Sequence, residues 1–451
     1  MAVKRLHEIR DPIHNFIQLD RRERAFVDSQ PFQRLRHINQ LALSPLVYPG
    51  ATHKRFEHSL GVMHLAQRVF DIVTKPENIH PDIEHIIPDK DDLPYWRTVL
   101  SLGALAHDIG HISFSHAAEK RLLPKGADHE TLTLDLLASN YLSSVWESGH
   151  HIEYKDVQKL AVGQKKLTDI LFTTWESILS EIITGDSFGV DRIDYLLRDS
   201  YHAGVTYGYF DHIKLIESLR ILPKSSETDG SLEPTLGIEL SGLHSSEAML
   251  LARYFMYEQV YFHPVRRIYD KHLIDFMAQH YGENGYSRDV EFHLSQTDNE
   301  VTVAIRHAFR DQAAPGHLAA QAIIGRQHYR LVYGYNPSDQ QALRESIEKG
   351  RVEIEENRPL VSPARRMFDL LSREFGKERF KEDLYIQGES YAVFPVLMQD
   401  RRIETSVSLS PVLRNFPRMT VDTIYASPNF VEQARNWIGK NREKVLRGEL
   451  K

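Results

Sequence analysis

Histidine and aspartate gather in four short stretches of this sequence, with residue types that can hold a metal or handle phosphate. The first, RFEHSLGVMHLA, carries Arg55, His58 and His64. The second, ALAHDIGHISFSHAAEK, carries His107, Asp108, His111, His116 and Glu119. DHETL, the third, carries His129 and Glu130, and GVDRIDYLLRDSYHAG, the fourth, carries Asp191, Arg192, Tyr195, Asp199 and His202. In the second stretch the apolar residues 98–106 predict a buried helix. A His-Asp pair at the end of such a helix is costly to bury without partners. A cation satisfies both side chains, and imidazole with carboxylate suits Zn, Mn, Fe or Ni. His107 and His111 are four apart and share a helix face, unless Gly110 ends the helix between them. A lone histidine here would read as a hydrogen-bonded core residue. His-Asp with two more histidines within nine residues points instead to a metal.

The elements that must position these residues read mainly as helices. Asp191, Tyr195 and Asp199 recur every four residues and line one helix stripe, leaving Ile193, Leu196 and Leu197 to pack inward. The same spacing also fits a solvated acidic face braced by Arg192 and Arg198. Helical periodicity is present over 57–74, 95–110, 128–143, 168–184, 189–201 and 244–280. The polar stretch 223–234 predicts an exposed loop or short hairpin. Beyond it the character changes. Strands are predicted at 290–295, 383–387, 391–397, 402–409 and 420–425, with helices near 298–310, 338–348, 363–376 and 429–446. The expected fold is mainly α: a helical domain over 1–284 and a smaller α/β region over 285–451, the latter for assembly or regulation.

Composition bounds the chemistry. The chain has 451 residues, 41% hydrophobic and 26% charged, enough for a sizeable core and too apolar for a disordered chain. Lys and Arg number 55 against 62 Asp and Glu, a net charge of -7 that argues against sequence-independent nucleic-acid binding as the main role. There is no cysteine, so thiolate metal sites, disulfides and cysteine nucleophiles are excluded. Any metal must sit on His, Asp, Glu and water. The start MAVKRLHEIRDP lacks the apolar core of a secretory signal, and no stretch is apolar for the ~18 residues of a membrane span. A soluble, cytoplasmic protein without a membrane partner is expected.

Taken in order, His58, His107-Asp108 and Asp191 form the H…HD…D signature of the HD-domain phosphohydrolases. The blocks DPIHNFIQLD, FQRLRHINQL, YPGATHKRFEHSLGV, HDIGHISFSH and VDRIDYLLRDSYHAGV resemble the deoxynucleoside triphosphate triphosphohydrolases. Both the bacterial dGTPase-like enzymes and the vertebrate type with a sterile-alpha-motif plus HD arrangement are similar. The resemblance covers residues 8–210 closely and continues more faintly beyond.

That resemblance implies a helical, metal-dependent enzyme that releases triphosphate and deoxynucleoside. It assigns His58, His107, Asp108 and Asp191 to one divalent ion, with Mn, Mg, Fe, Zn and Ni all compatible. It makes His129 the catalytic histidine that protonates the leaving 5′ oxygen and Glu119 its acidic partner, where Asp is usual. His111 and His116 match residues that contact the phosphates, and Arg55 and Arg192 would neutralise phosphate charge. Gln40, Tyr195, Asp199 and Tyr269 map onto sugar recognition, and Asp28, Gln33 and Arg36 onto a site for an activating nucleotide. Dimers or tetramers are implied. Two departures stand out: Tyr261 where the vertebrate type has Arg, and Asp270 where it has Gln, with Arg266 and Arg267 nearby. They leave open another nucleotide phosphate ester as substrate, such as a monophosphate or a cyclic or modified nucleotide. A catalytically silent nucleotide sensor is the reading from a different class.

Overall fold

The computed structural model describes residues 7–115, 118–147, 151–225, 232–352, 362–386 and 393–450. The chain is mainly α, a helical core with a smaller α/β region, and it divides into two compact units that interleave along the sequence. One comprises residues 1–256, 281–303 and 390–416; the other comprises 257–280, 304–389 and 417–451.

The first unit is built around the helix Arg55–Val73, which buries residues on every side, among them Leu60, Met63, Leu65 and Val69. A helix buried over most of its circumference belongs in the middle of a bundle. The helix Leu93–Ala106 packs on it with Val99, Leu102 and Leu105, and Tyr154–Val162 and Thr174–Thr184 complete that side. The helix Val190–Ala203 lies against Arg55–Val73 and buries Ile193, Leu196 and Leu197, as its periodicity predicted. Gly204, in the left-handed region at φ 72°, ends it.

Two small sheets belong to this unit. Strands His7–Asp11 and Asn15–Leu19 form a hairpin. Strands Leu219–Ser225, Leu232–Glu239, Pro395–Leu397 and Ile403–Thr405 form a four-stranded sheet, with Ile238 opposite Val396 in its parallel pair. The polar stretch 223–234 is thus the inner part of a hairpin, although residues 226–231 lie outside those described.

The second unit holds a three-stranded antiparallel sheet with Thr420–Ala426 between Arg330–Tyr333 and Phe380–Ile386. Helices Pro363–Phe375 and Val431–Leu446 cover it, and Met367, Phe368, Leu371, Ile424, Ala434 and Ile438 share one core.

Several sequence expectations need correction. The helices foreseen over 95–110, 128–143 and 168–184 are Leu93–Ala106, His129–Leu137 and Thr174–Thr184, and within 391–397 the strand is Pro395–Leu397. Residues 290–295 alternate like a strand but form a helix: Asp289 accepts from the Phe292 backbone N–H at 2.8 Å, capping it, and His293 and Leu294 point inward together. Only Ile403–Thr405 of 402–409 is a strand, followed by the turn of helix Ser406–Leu409. The helix foreseen over 244–280 is broken into Leu243–Met256, a π-helical segment Tyr257–Tyr261, and Pro264–Tyr281. Pro264 cannot donate to a preceding turn, so it begins a helix rather than continuing one.

Candidate metal centre

His58 sits in the first turns of the helix Arg55–Val73, while His107 and Asp108 follow the end of Leu93–Ala106 and Asp191 opens Val190–Ala203. Three helices therefore bring these four residues together. His58, His107 and Asp108 are buried, and one ligand atom from each lies within 4.8 Å of the others. Asp191 Oδ1 is 3.0 Å from His58 Nε2 and 3.7 Å from His107 Nε2. Asp108 lies 3.4 Å from His107 Nε2 and 3.8 Å from His58 Nε2.

The remaining ring nitrogens are already committed. His58 Nδ1 faces Asp194 Oδ2 at 2.8 Å, and His107 Nδ1 donates to the Ala104 carbonyl at 2.8 Å. A carboxylate or carbonyl behind each imidazole is how metal-binding histidines are oriented. His107 Nε2 is buried with no hydrogen-bond partner among the described residues, facing two carboxylates. Burial works against a His58 cation, yet Asp191 and Asp194 outweigh it and lift its pKa to about 10. Burial likewise raises Asp108 and Asp191, but Arg55, His107 and His111 hold the first well below the usual carboxylate range, and His107 and His58 hold the second low. The cluster thus calls for a cation, and two imidazoles with two carboxylates are a fitting donor set for a divalent ion.

Asp194 is the residue that sequence reasoning missed. It is fully buried and accepts from His58, from His14 Nε2 at 2.7 Å and from Arg198 at 2.8 and 2.9 Å. Arg198 also donates to Asp11 at 2.7 Å. Asp11 and His14 come from the hairpin turn, where Asp11 Oδ1 accepts the Ile13 and His14 backbone N–H groups. The DPIHN block is therefore a turn that delivers two side chains to the back of the site. A Cβ on Gly61 would stand 1.9 Å from Asp194 Oδ1, so only glycine lets this carboxylate approach. The signal available in the sequence was the i,i+4 spacing of Asp194 and Arg198 within an otherwise apolar face.

A polar surround adjoins the four residues. Arg55 donates to Asp108 and, through Nε, to Ser115 Oγ at 2.7 Å. His111 Nε2 lies 3.2 Å from Asp108 Oδ1, and its ring stacks on His129 with centroids 4.0 Å apart and planes at 8°. Asp128 caps the helix His129–Leu137, accepting the Thr131 N–H at 3.0 Å, which sets His129 as the first helical residue. Glu119 Oε1 receives both the backbone N–H and Nδ1 of His129, the latter at 2.7 Å. Burial disfavours the imidazolium, but Glu119 more than compensates and raises the His129 pKa.

Gln40 and Asp199 are joined through His53, which sequence reasoning also missed. The Gln40 N–H donates to the His53 carbonyl at 3.0 Å, and His53 Nε2 lies 2.7 Å from Asp199 Oδ1. The His53 ring stacks on His202 with centroids 4.4 Å apart. Tyr195 is half-buried on the same helix, and Arg192 donates to Asp186 at 2.9 Å. Gln33 donates to the Val27 carbonyl, and Arg36 donates to Gln33 at 2.9 Å while covering the Phe56 ring at 3.5 Å. Asp28 is exposed and accepts from Arg24 at 3.2 Å.

His116 lies outside the described residues. Tyr269 belongs to the second unit, where it is fully buried with its ring 4.6 Å from His328. Tyr261 and Asp270 are in that unit as well. Arg266 lies 3.5 Å from Asp270 and donates to the Tyr261 carbonyl, and Arg267 pairs with Asp383.

Comparison with known proteins agrees with this geometry. Residues 55–171 match the HD domain model, and residues 210–354 match the HD associated region. An uncharacterised protein of Methanocaldococcus jannaschii, MJ1154, is 35% identical over 263 residues, covering 58% of this chain and 47% of that protein. Deoxynucleoside triphosphate triphosphohydrolase SAMHD1 of Homo sapiens is 30% identical over 289 residues, covering 59% and 43%. The crystal structure of a hypothetical protein from Aquifex aeolicus superposes with a TM-score of 0.74 at 28% identity, covering 96% of this chain and 99% of that one. The chain spans about half the length of the curated relatives it matches.

Proposed function

We infer that this chain, a member of the HD-domain superfamily, is a metal-dependent phosphohydrolase, and we propose that it splits deoxynucleoside triphosphates into deoxynucleoside and triphosphate. The observation that carries the reading is the convergence of His58, His107, Asp108 and Asp191, with the His129–Glu119 pair beside them through the His111 stack. The substrate class is supported by the similarity to the vertebrate deoxynucleoside triphosphate triphosphohydrolases.

When bound, a divalent ion polarises the phosphoryl oxygen and makes a water nucleophilic at neutral pH. The protein's own groups do the rest. Arg55, Arg192, His111 and His116 hold the phosphates and balance their charge. Glu119 fixes Nδ1 of His129, so Nε2 is the atom that hands a proton to the departing 5′ oxygen. Gln40, Tyr195 and Asp199 recognise the sugar. Asp28, Gln33 and Arg36 bind an activating nucleotide. Support comes from the Arg36 stack on Phe56, the neighbour of Arg55. The 285–451 region serves assembly into a dimer or tetramer or regulation, and a nucleotide substrate goes with a cytoplasmic location.

The test is to incubate metal-reconstituted protein with each dNTP, alone and with GTP, and to resolve the products. Triphosphate and deoxynucleoside are expected, and His107→Ala or Asp108→Ala should abolish their release. Monophosphate with pyrophosphate would overturn the reaction. Faster turnover of monophosphates than of triphosphates would shift the substrate to another phosphate ester, the alternative that Tyr261 and Asp270 raise.

A further inference from the structure

The loop that follows the His-Asp pair is strained. Phe114 and Ser115 both lie in the left-handed region, at φ 58° and 59°, and neither is glycine. Such residues are strained and persist only when their surroundings hold them. Ser115 is nonetheless where the loop meets the site, because its Oγ accepts from Arg55 Nε at 2.7 Å, and Arg55 in turn binds Asp108.

The holding group comes from far along the chain. Asp298, which opens the helix Asp298–Arg310, is 3% exposed. Its Oδ1 accepts the Phe114 N–H at 2.7 Å and its Oδ2 accepts the Asn39 N–H at 2.8 Å. One carboxylate thus clamps the strained turn to the residue before Gln40. A second strut is parallel to it: Arg34 donates to the His111 carbonyl at 2.8 Å and to the Gln296 carbonyl at 2.9 Å. The segment 296–298 lies within the region that matches the HD associated model, outside the HD domain match itself.

We propose that Asp298 is a positioning residue, holding the 111–115 loop in the one conformation that sets Ser115 and Arg55 for phosphate. The HD-associated region therefore completes the HD site rather than standing apart from it. As a statement about turnover this rests on the phosphohydrolase reading above; as a statement about the loop it does not.

The test compares the full-length wild type with Asp298→Ala and Asp298→Asn. The readouts are Mn2+ affinity by calorimetry, kcat and KM for the best dNTP, and hydrogen exchange of the peptide spanning 110–118. Asp298→Ala should lower kcat/KM by about 10–100-fold, since misplacing a positioned group by about 1 Å costs about that much. Asp298→Asn should fall between it and wild type, because its amide oxygen still accepts one N–H. Mn2+ affinity should stay within about threefold, as none of the four ligands is on the strained turn, while the 110–118 peptide exchanges about tenfold faster. A merely structural role would instead lower metal affinity and protection throughout the unit. Should Asp298→Ala not fold, Asp298→Asn and Ser115→Ala replace it: acting along one path, their losses do not add, and additive losses overturn the proposal. Unchanged exchange at 110–118, or wild-type kcat/KM in a folded variant, also overturns it. A wild type that hydrolyses no dNTP refutes the function proposed above, and the exchange measurement then decides the role of Asp298 alone.

Discussion

A histidine that offers one ring nitrogen to a metal must have the other one fixed, and Asp194 does this for His58. Asp194→Asn keeps the size but offers an amide, which cannot serve His14, His58 and Arg198 together. Divalent metal affinity should fall about 10–100-fold, read by calorimetric titration of a variant with native circular dichroism. An unchanged affinity would remove Asp194 from this role. His129 yields a second prediction at the same scale. Burial opposes its protonation, but Glu119 raises its pKa, so the protonated form persists above the ordinary histidine range. In the proposed role of general acid it acts while protonated, so turnover should be lost as pH rises through the raised value. Glu119→Gln removes the raising charge, so the alkaline limb of the kcat/KM profile should move to lower pH. A limb that stays put would assign it to another group.

At the scale of elements, the site depends on how closely the helix His129–Leu137 approaches the turn after His107-Asp108. Gly110 sets that distance. A Cβ there would lie 2.1 Å from the His129 carbonyl oxygen and 2.4 Å from the Thr133 nitrogen, both backbone atoms that no rotamer change can move. Gly110→Ala should therefore push the start of this helix away, costing about 1–3 kcal/mol in denaturant unfolding and lowering kcat by about 100-fold. Wild-type kcat in this variant would mean that His129 acts without the observed geometry. In the sequence Gly110 raised only the question of whether a helix ends between His107 and His111. The helix ends at Ala106, before both, so His107 and His111 share no helix face; His111 still reaches Asp108 because the turn folds back. Periodicity located the long helices because their buried apolar positions recur over several turns. It failed at 290–295, where six residues with two buried neighbours carry too little pattern to separate helix from strand, and the deciding signal was the cap at Asp289.

Across the whole molecule, what could be read from the sequence was the group of His58, His107, Asp108 and Asp191 that the structure brings together, because short local motifs contain them. What could not be read were the long-range partners: the pairing of Asp194 with His14 spans 180 positions and that of Asp298 with Phe114 spans 184. Such pairs leave no local period. The interleaved units were hidden for the same reason, since segments 281–303 and 390–416 join the first unit across long intervals. The consequence for stability follows from charge. His58, His107 and Asp108 are buried together beside the half-buried Asp191, and His107 Nε2 has no hydrogen-bond partner among the described residues, so a cation bound only by the folded chain stabilises it by mass action. With metal a hundredfold above its Kd, stability should exceed that of the chelated protein by about 2.7 kcal/mol. A thermal melt in chelator should thus show a lower Tm that Mn2+ restores. Asp108→Ala should melt at the same temperature with and without metal, because it lacks a ligand and loses the linkage. If chelation leaves the wild-type Tm unchanged, the cluster holds a proton on His58 instead of a metal, consistent with the raised pKa of that residue, and the catalytic reading would have to do without a cation.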